Sequence, residues 1–164
     1  MEISPEVKAL SAEMTSLRRD LHAHPELGFQ EVRTAGIIAK RLTELGYTVR
    51  TGLGKTGVTG LLKGGKPGKT VLLRADIDAL PIREETDVPW RSETVGVMHA
   101  CGHDAHTAMG LAAAAILAKE APSLAGDLFF VFQPAEELLI GAEAMLKDGR
   151  WKGCGRTRPS PSMS

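Results

Sequence analysis

Apolar residues recur at Val7, Leu10, Met14, Leu17 and Leu21, the spacing that puts side chains on one face of an α-helix. Ser4 and Pro5 mark its start, because a serine hydroxyl accepts a first-turn amide and proline suits the first helical position. Pro25 disfavours helix at His24, so the pattern predicts a stop near "HAHPELG". A second helix is predicted over Glu31 to Leu45, with Val32, Ala35, Ile38, Ala39, Leu42 and Leu45 on one face and Gly46 closing it. "YTVRTG" and "GVTGLLKG" read as the short strands of a hairpin, followed by a turn in "GGKPGK". "TVLLRADID" is a continuous apolar run ending in polar residues, which predicts a buried strand. Then come a helix over Thr107 to Lys119, a second buried strand in "DLFFVFQPAEE" stopped by Pro134, and a short helix in "GAEAMLKDG".

This order predicts an α/β fold, a layered mixed sheet flanked by helices, with part of the sheet parallel. Chemistry in such sheets gathers beyond the carboxyl ends of the strands. Both predicted buried strands carry carboxylates there, Asp76 and Asp78 on one, Glu136 and Glu137 on the other. Residues 1–149 read as one structural unit without internal repeats. Residues 150–164 lack apolar periodicity, are rich in Gly, Arg, Pro and Ser, and read as a disordered tail.

Composition narrows the function classes. The 164 residues are 43% hydrophobic, enough for a real core. Twenty basic residues balance twenty acidic ones, and aromatic residues are 4%, which gives no argument for a nucleic-acid or anionic-membrane partner. Two cysteines, Cys101 and Cys154, do not make a disulfide scaffold. The start lacks the basic and apolar regions of a signal peptide, and the run "GLAAAAILA" is too short to span a bilayer. The expectation is a cytoplasmic protein.

Against this background, "VMHACGHDAHTAMG" is unusual. Three of the five histidines, one cysteine and one aspartate crowd into His99 to His106. Cys101 and His103 can face one ion if the backbone bends, and Gly102 permits the bend. Zinc favours such a sulfur and nitrogen pair. The same residues also fit a buried cysteine among unrelated histidines. Glu136 and Glu137 end an apolar strand, where buried carboxylates need pairing, protonation or a metal. They also fit a helix start, where acidic residues suit the dipole. Asp76 is the better candidate to support a metal-binding imidazole, whereas Asp78, before Ala-Leu-Pro81, reads as a turn residue. His22 and His24 read as helix-end histidines. "GKTGVTG" and "GGKPGKT" lack the spacing of a phosphate loop.

Taken together and in order, "RRDLHAHPELGFQE", "LLRADIDALPIREET", "MHACGHDAHTAMGLAAA" and "FVFQPAEE" resemble the M20 metallopeptidase family. The nearest branch is the N-acyl-amino-acid amidohydrolases, which includes hippurate and indoleacetyl-amino-acid hydrolases. The resemblance covers about Leu17 to Gly149. It implies a zinc-peptidase-like catalytic domain holding two divalent ions (Zn, Mn or Co). Cys101, His103 and Glu137 would be ligands, Glu136 the general base, and Asp76 the support behind the ligands. Arg74 stands where the wider family has a metal-binding histidine, and His24, His99 and His106 are not ligands in the pattern. The implied reaction cleaves the amide bond of a small N-acyl amino acid to a carboxylic acid and a free amino acid. Full-length members are often homo-oligomers.

Members of the family continue well past this chain's last residue, and supply further histidine ligands and an inserted domain. The chain is therefore expected to be an N-terminal part of such an enzyme, with an exposed sheet edge, and to be inactive if the missing ligands are essential. Two rivals stand beside it: a non-catalytic fragment keeping a degenerate metal- or partner-binding surface, and a redox protein using Cys101 with Cys154. Shifting the codons of the tail by one base from Cys154 permits Val-Arg-Pro-Asp-Ala-Ala-Phe-Ala-Leu-His, which matches the family pattern. Resequencing this region is expected to restore that frame; an intact frame with unrelated sequence downstream removes the reading.

Overall fold

Ser4 caps the first helix. Its Oγ accepts the Val7 N–H at 3.5 Å, and α1 spans Pro5–Ala23 in the computed structural model, which describes residues 2–148. Leu17 and Leu21 of the apolar stripe are buried, whereas Val7 at the far end of the helix is exposed. The second helix, α2, spans Val32–Glu44. Gly46 ends it in the left-handed region at φ 84°, with its amide donating to the Thr43 carbonyl at 3.0 Å. Glu31 occupies the capping position of α2 but makes no side-chain bond to the helix. Glu26 does so instead, its two carboxylate oxygens accepting the Arg33 and Thr34 amides, each at 2.8 Å.

Strands β1 (Thr48–Leu53) and β2 (Gly57–Leu62) form the predicted antiparallel hairpin. Next come β3 (Val71–Asp76), α3 (His103–Glu120), β4 (Leu128–Gln133) and α4 (Gly141–Lys147). The sheet order is β1-β2-β4-β3, with β2 antiparallel and β3 parallel to β4. All six residues of β4 are buried, and the strand ends where Pro134 removes the next amide. The expectation of a buried strand in "TVLLRADID" is corrected for β3. It lies at the sheet edge, with Val71 54% and Leu72 48% exposed, and only Ala75 and Asp76 at its end are buried. A continuous apolar run is common to edge and central strands, and the run alone did not separate them.

The link "GGKPGK" is not a hairpin turn, because β2 and β3 are separated by β4. Its glycines serve close backbone approach. A Cβ at Gly64 would lie 1.9 Å from the Gly126 carbonyl oxygen.

Side chains of β4 alternate between two cores. Phe130 and Phe132 face α1, α2 and α3, packing with Leu21, Ile38, Leu42 and Leu111. Phe129 and Val131 face the other way, toward Leu53 and Met145 of α4. Tyr47 meets Phe130 edge-on, with ring centroids 5.7 Å apart, and donates its hydroxyl to the Ala114 carbonyl at 3.0 Å. Burial pushes the Tyr47 phenol up to about 12. Among the described residues no helix is long and apolar enough to cross a membrane. Replacing Phe130, 2% exposed at the centre of the larger core, by alanine is expected to lower the unfolding free energy by about 3–5 kcal/mol. Chemical denaturation of the two proteins checks this.

Candidate metal centre

Because β3 and β4 are parallel, both leave the sheet at the same edge and deliver their following residues to one place. The Ile77 amide extends the pairing to the Gln133 carbonyl at 3.1 Å, and Thr107 Oγ1 donates to the Asp76 carbonyl at 3.2 Å, seating the start of α3 there. That helix begins at His103 rather than at the predicted Thr107. Gly102, at φ 97°, turns the chain sharply enough for the histidine-rich loop to become the first helical turn.

The arrangement brings Cys101, His103 and Glu137 together. Each offers one ligand atom, and those atoms lie within 4.8 Å of one another. Glu136 Oε2 and Glu137 Oε1 are each 3.8 Å from His103 Nε2. Their side chains are 34% and 25% exposed, so they are not a buried pair. Nor do they start a helix: they lie in a turn, and α4 begins only at Gly141.

The other nitrogen of His103 faces Asp78. Nδ1 donates to the Asp78 carbonyl at 3.0 Å and lies 3.3 Å from its Oδ1. Asp78 Oδ2 accepts the Glu137 amide at 3.0 Å. The turn residue of the sequence reading is thus a fully buried carboxylate joining two candidate ligands. Asp76 is buried as well, at the end of β3. Its Oδ2 lies 3.5 Å from His103 Nε2 and 3.3 Å from His106 Nδ1, and its Oδ1 lies 2.5 Å from Arg74 Nη2. Asp76, His103 and His106 also fall within 4.8 Å, but the Arg74 guanidinium already neutralises Asp76 and opposes a cation there.

Burial pulls the His103 pKa down. The hydrogen bond to Asp78, the Cys101 sulfur and the Asp76 charge outweigh it and push it up to about 11. Asp78 moves the other way: burial raises it, but bonds from His103 and the Glu137 and Glu136 amides hold it below the usual carboxylate range. His99 is separate. It is buried, neither ring nitrogen has a hydrogen-bond partner among the described residues, and burial lowers it to about 4.

His22 lies in the last turn of α1, as the helix-end reading expects, but it also does more. Its buried ring spans Asp104 Oδ2 at 2.7 Å and Glu84 Oε1 at 3.0 Å, and Arg18 Nε binds the same Asp104 oxygen at 2.8 Å. This strut ties α1 to the first turn of α3. It joins residues 82 and 62 positions apart, and no local pattern marks such a pairing. His24 keeps the helix-end role, with Nδ1 2.8 Å from the Asp20 carbonyl. Cys154 and the rest of 149–164 lie outside the described residues.

The profile of peptidase family M20/M25/M40 matches residues 72–160. The chain belongs to this family. It is 49% identical over 149 residues to a hippurate hydrolase of Campylobacter jejuni, covering 91% of this chain and 38% of that protein. It is 45% identical over 147 residues to an N-acetylcysteine deacetylase of Bacillus subtilis, covering 89% of this chain and 39% of the relative. Among solved structures, the Bacillus subtilis YxeP protein, described as a dinuclear metal-binding peptidase of family M20, superposes with a TM-score of 0.83 at 45% identity. That match covers 89% of this chain and 41% of YxeP. The chain thus spans about two fifths of the relatives it matches.

The donors of Cys101, His103 and Glu137 would fit a divalent cation. Thiolate, imidazole and carboxylate are the ligands zinc takes, and three protein ligands leave the fourth position of a catalytic site open. Two donors on one tetrahedral zinc stand about 3.3 Å apart, given bonds of ~2.0–2.2 Å. The 3.8 Å separation between His103 Nε2 and Glu137 Oε1 therefore closes with a small side-chain shift. Nδ1, committed to Asp78, leaves Nε2 as the nitrogen on the cation side.

The raised His103 pKa has a definite sign in stability. The metal-free fold gains from the charged imidazole fully below the ordinary 6.5 and loses that gain as pH rises through about 11. Asp78→Asn removes the charged partner on Nδ1 and is expected to lower the His103 pKa from about 11. NMR titration of the ring checks this, and a His103 that still titrates as in the parent chain overturns the assignment to Asp78.

Proposed function

We propose that the chain is part of a metal-dependent hydrolase that cleaves the amide bond of N-acyl amino acids, with residues 1–149 contributing to its catalytic domain. The observation that carries the reading is the meeting of Cys101, His103 and Glu137 within 4.8 Å, beside a second glutamate. The relatives named hippurate hydrolase and N-acetylcysteine deacetylase support the substrate class, a small N-acyl amino acid.

In this reading Cys101 Sγ, His103 Nε2 and a Glu137 oxygen hold one ion, and zinc, manganese and cobalt are its candidates. The thiolate favours zinc or cobalt over manganese. A second ion, as in YxeP, draws on donors beyond these three. A bound divalent cation supplies Lewis acidity, lowering the pKa of water and polarising an amide carbonyl. Glu136 is the general base. Its carboxylate, half-exposed and 3.8 Å from His103 Nε2, takes a proton from the attacking water and returns it to the leaving amine. The C–N bond breaks as the C–O bond forms, giving a carboxylic acid and an amino acid. Asp76, 3.5 Å from His103 Nε2 and paired with Arg74, supports the ligand imidazole from behind. The free Cys101 as a ligand suits a reducing compartment, the cytoplasm.

A second reading is a non-catalytic fragment that keeps a degenerate metal- or partner-binding surface. One assay separates the two. The purified chain, supplied with Zn²⁺, Mn²⁺ or Co²⁺, is expected to hydrolyse an N-acetyl amino acid, to lose activity with a chelator, and to lose about 10²–10⁴-fold in Glu136→Ala. Metal uptake without turnover on any of the three ions favours the binding fragment as the reading of this 164-residue chain.

A further inference from the structure

Glu31 is a carboxylate with no exposure, buried where the metal chemistry does not use it. A residue at the capping position of a helix normally turns its side chain back to the helix amides. In α2 those amides are taken by Glu26, which releases Glu31 into the interior. There its two oxygens reach two other elements. Oε2 accepts the Thr56 hydroxyl at 2.5 Å, in the turn between β1 and β2, and Oε1 accepts the Ala135 amide at 2.8 Å, 104 positions away.

Ala135 is the residue just before the glutamate pair, and it is strained. Its φ is 48°, in the left-handed region that alanine rarely occupies. Such a conformation persists only where the surroundings over-determine it. The surroundings here are specific. Besides the bond from Glu31, Gly28 leaves room for the corner: a Cβ at position 28 would lie 3.1 Å from both Cα and Cβ of Ala135. Glu31 and Gly28 both belong to "HPELGFQE", the segment that supplies no candidate ligand. Burying a carboxylate for two hydrogen bonds and no cation is costly, so its placement against this one amide calls for a reason.

We infer that Glu31 is a positioning residue, whose buried carboxylate holds the Ala135 corner so that Glu136 and Glu137 are delivered to Cys101 and His103. The inference rests on the metal-centre reading above and adds a residue that no ligand pattern contains. Asp78 fixes the corner from its far side, at the Glu137 amide, and Glu31 fixes it from the near side, at Ala135. The two carboxylates bracket the glutamate pair.

The test compares three substitutions in the whole 164-residue chain. Glu31→Gln keeps length and an accepting oxygen for Ala135, while its amide can donate to Thr56. Glu31→Asp keeps the charge but withdraws it by one methylene. Glu31→Ala removes the group. Two readouts are taken: hydrogen exchange of the Ala135 amide without metal, and Co²⁺ binding followed by the thiolate-to-cobalt absorption band. The aspartate variant, and the alanine variant where it folds, are expected to lose Ala135 protection, to bind Co²⁺ about tenfold more weakly, and to show an altered band. The glutamine variant is expected to behave as the parent. Thr56→Val serves as the stability control: it is expected to lower the melting temperature and leave the cobalt band unchanged. Folded Glu31→Asp with parental exchange and parental Co²⁺ binding overturns the inference. A parent chain that binds no Co²⁺ overturns the metal reading and the positioning role that rests on it, while the exchange measurement still reports separately whether Glu31 holds Ala135.

Discussion

The buried carboxylate of Asp78 is where three segments of this fold become one site. The end of β3, the first turn of α3 and the corner after β4 have no reason of their own to keep their reactive groups in register. Asp78 supplies it, with one oxygen on the Glu137 amide at 3.0 Å and the other 3.3 Å from His103 Nδ1. Its backbone carbonyl takes the His103 N–H at 3.0 Å. Taking an isolated carboxylate out of water costs several kcal/mol; the charge-assisted hydrogen bond from the Glu137 amide returns about 1.5–3, and the His103 ring stands beside the other oxygen as its ionic partner. The interaction is therefore favourable only while both partners are in place. That makes it a geometric constraint more than a source of stability, and the parallel pairing of β3 with β4 is what brings the partners within reach.

Much of this was legible in the sequence, for identifiable reasons. The start of α1, the hairpin and the buried β4 follow from local chemistry: Ser4-Pro5, the two short apolar segments before the glycine-rich link, the stop at Pro134. The crowding of Cys101 and His103 was visible because such residue types seldom cluster by accident of folding. Most of what was not legible shares one property, long separation along the chain. The edge position of β3 depends on β4 pairing between it and β2, which no property of "TVLLRADID" announces. Asp78 looked like a turn residue because its two partners lie 25 and 59 positions away. His22 looked like a helix-end residue because Asp104 and Glu84 cannot be foreseen from its neighbours. The start of α3 was misplaced because Gly102, read as a bend for ligands, also turns the chain directly into the helix.

The two sides of the glutamate corner differ, and the difference bears on chemistry. Toward the interior, Gln133, Pro134 and Ala135 are buried, and the backbone amides of Ala135 and Glu137 are both taken by carboxylates. Toward the outside, the Glu136 and Glu137 side chains are partly exposed and Leu138, Leu139 and Ile140 beyond them are exposed. A group that must take up a proton and release it needs an approachable tip. A group that must meet a partner within a fraction of an ångström needs a fixed base. Placing the backbone of the pair in the core and its carboxylates at the surface satisfies both.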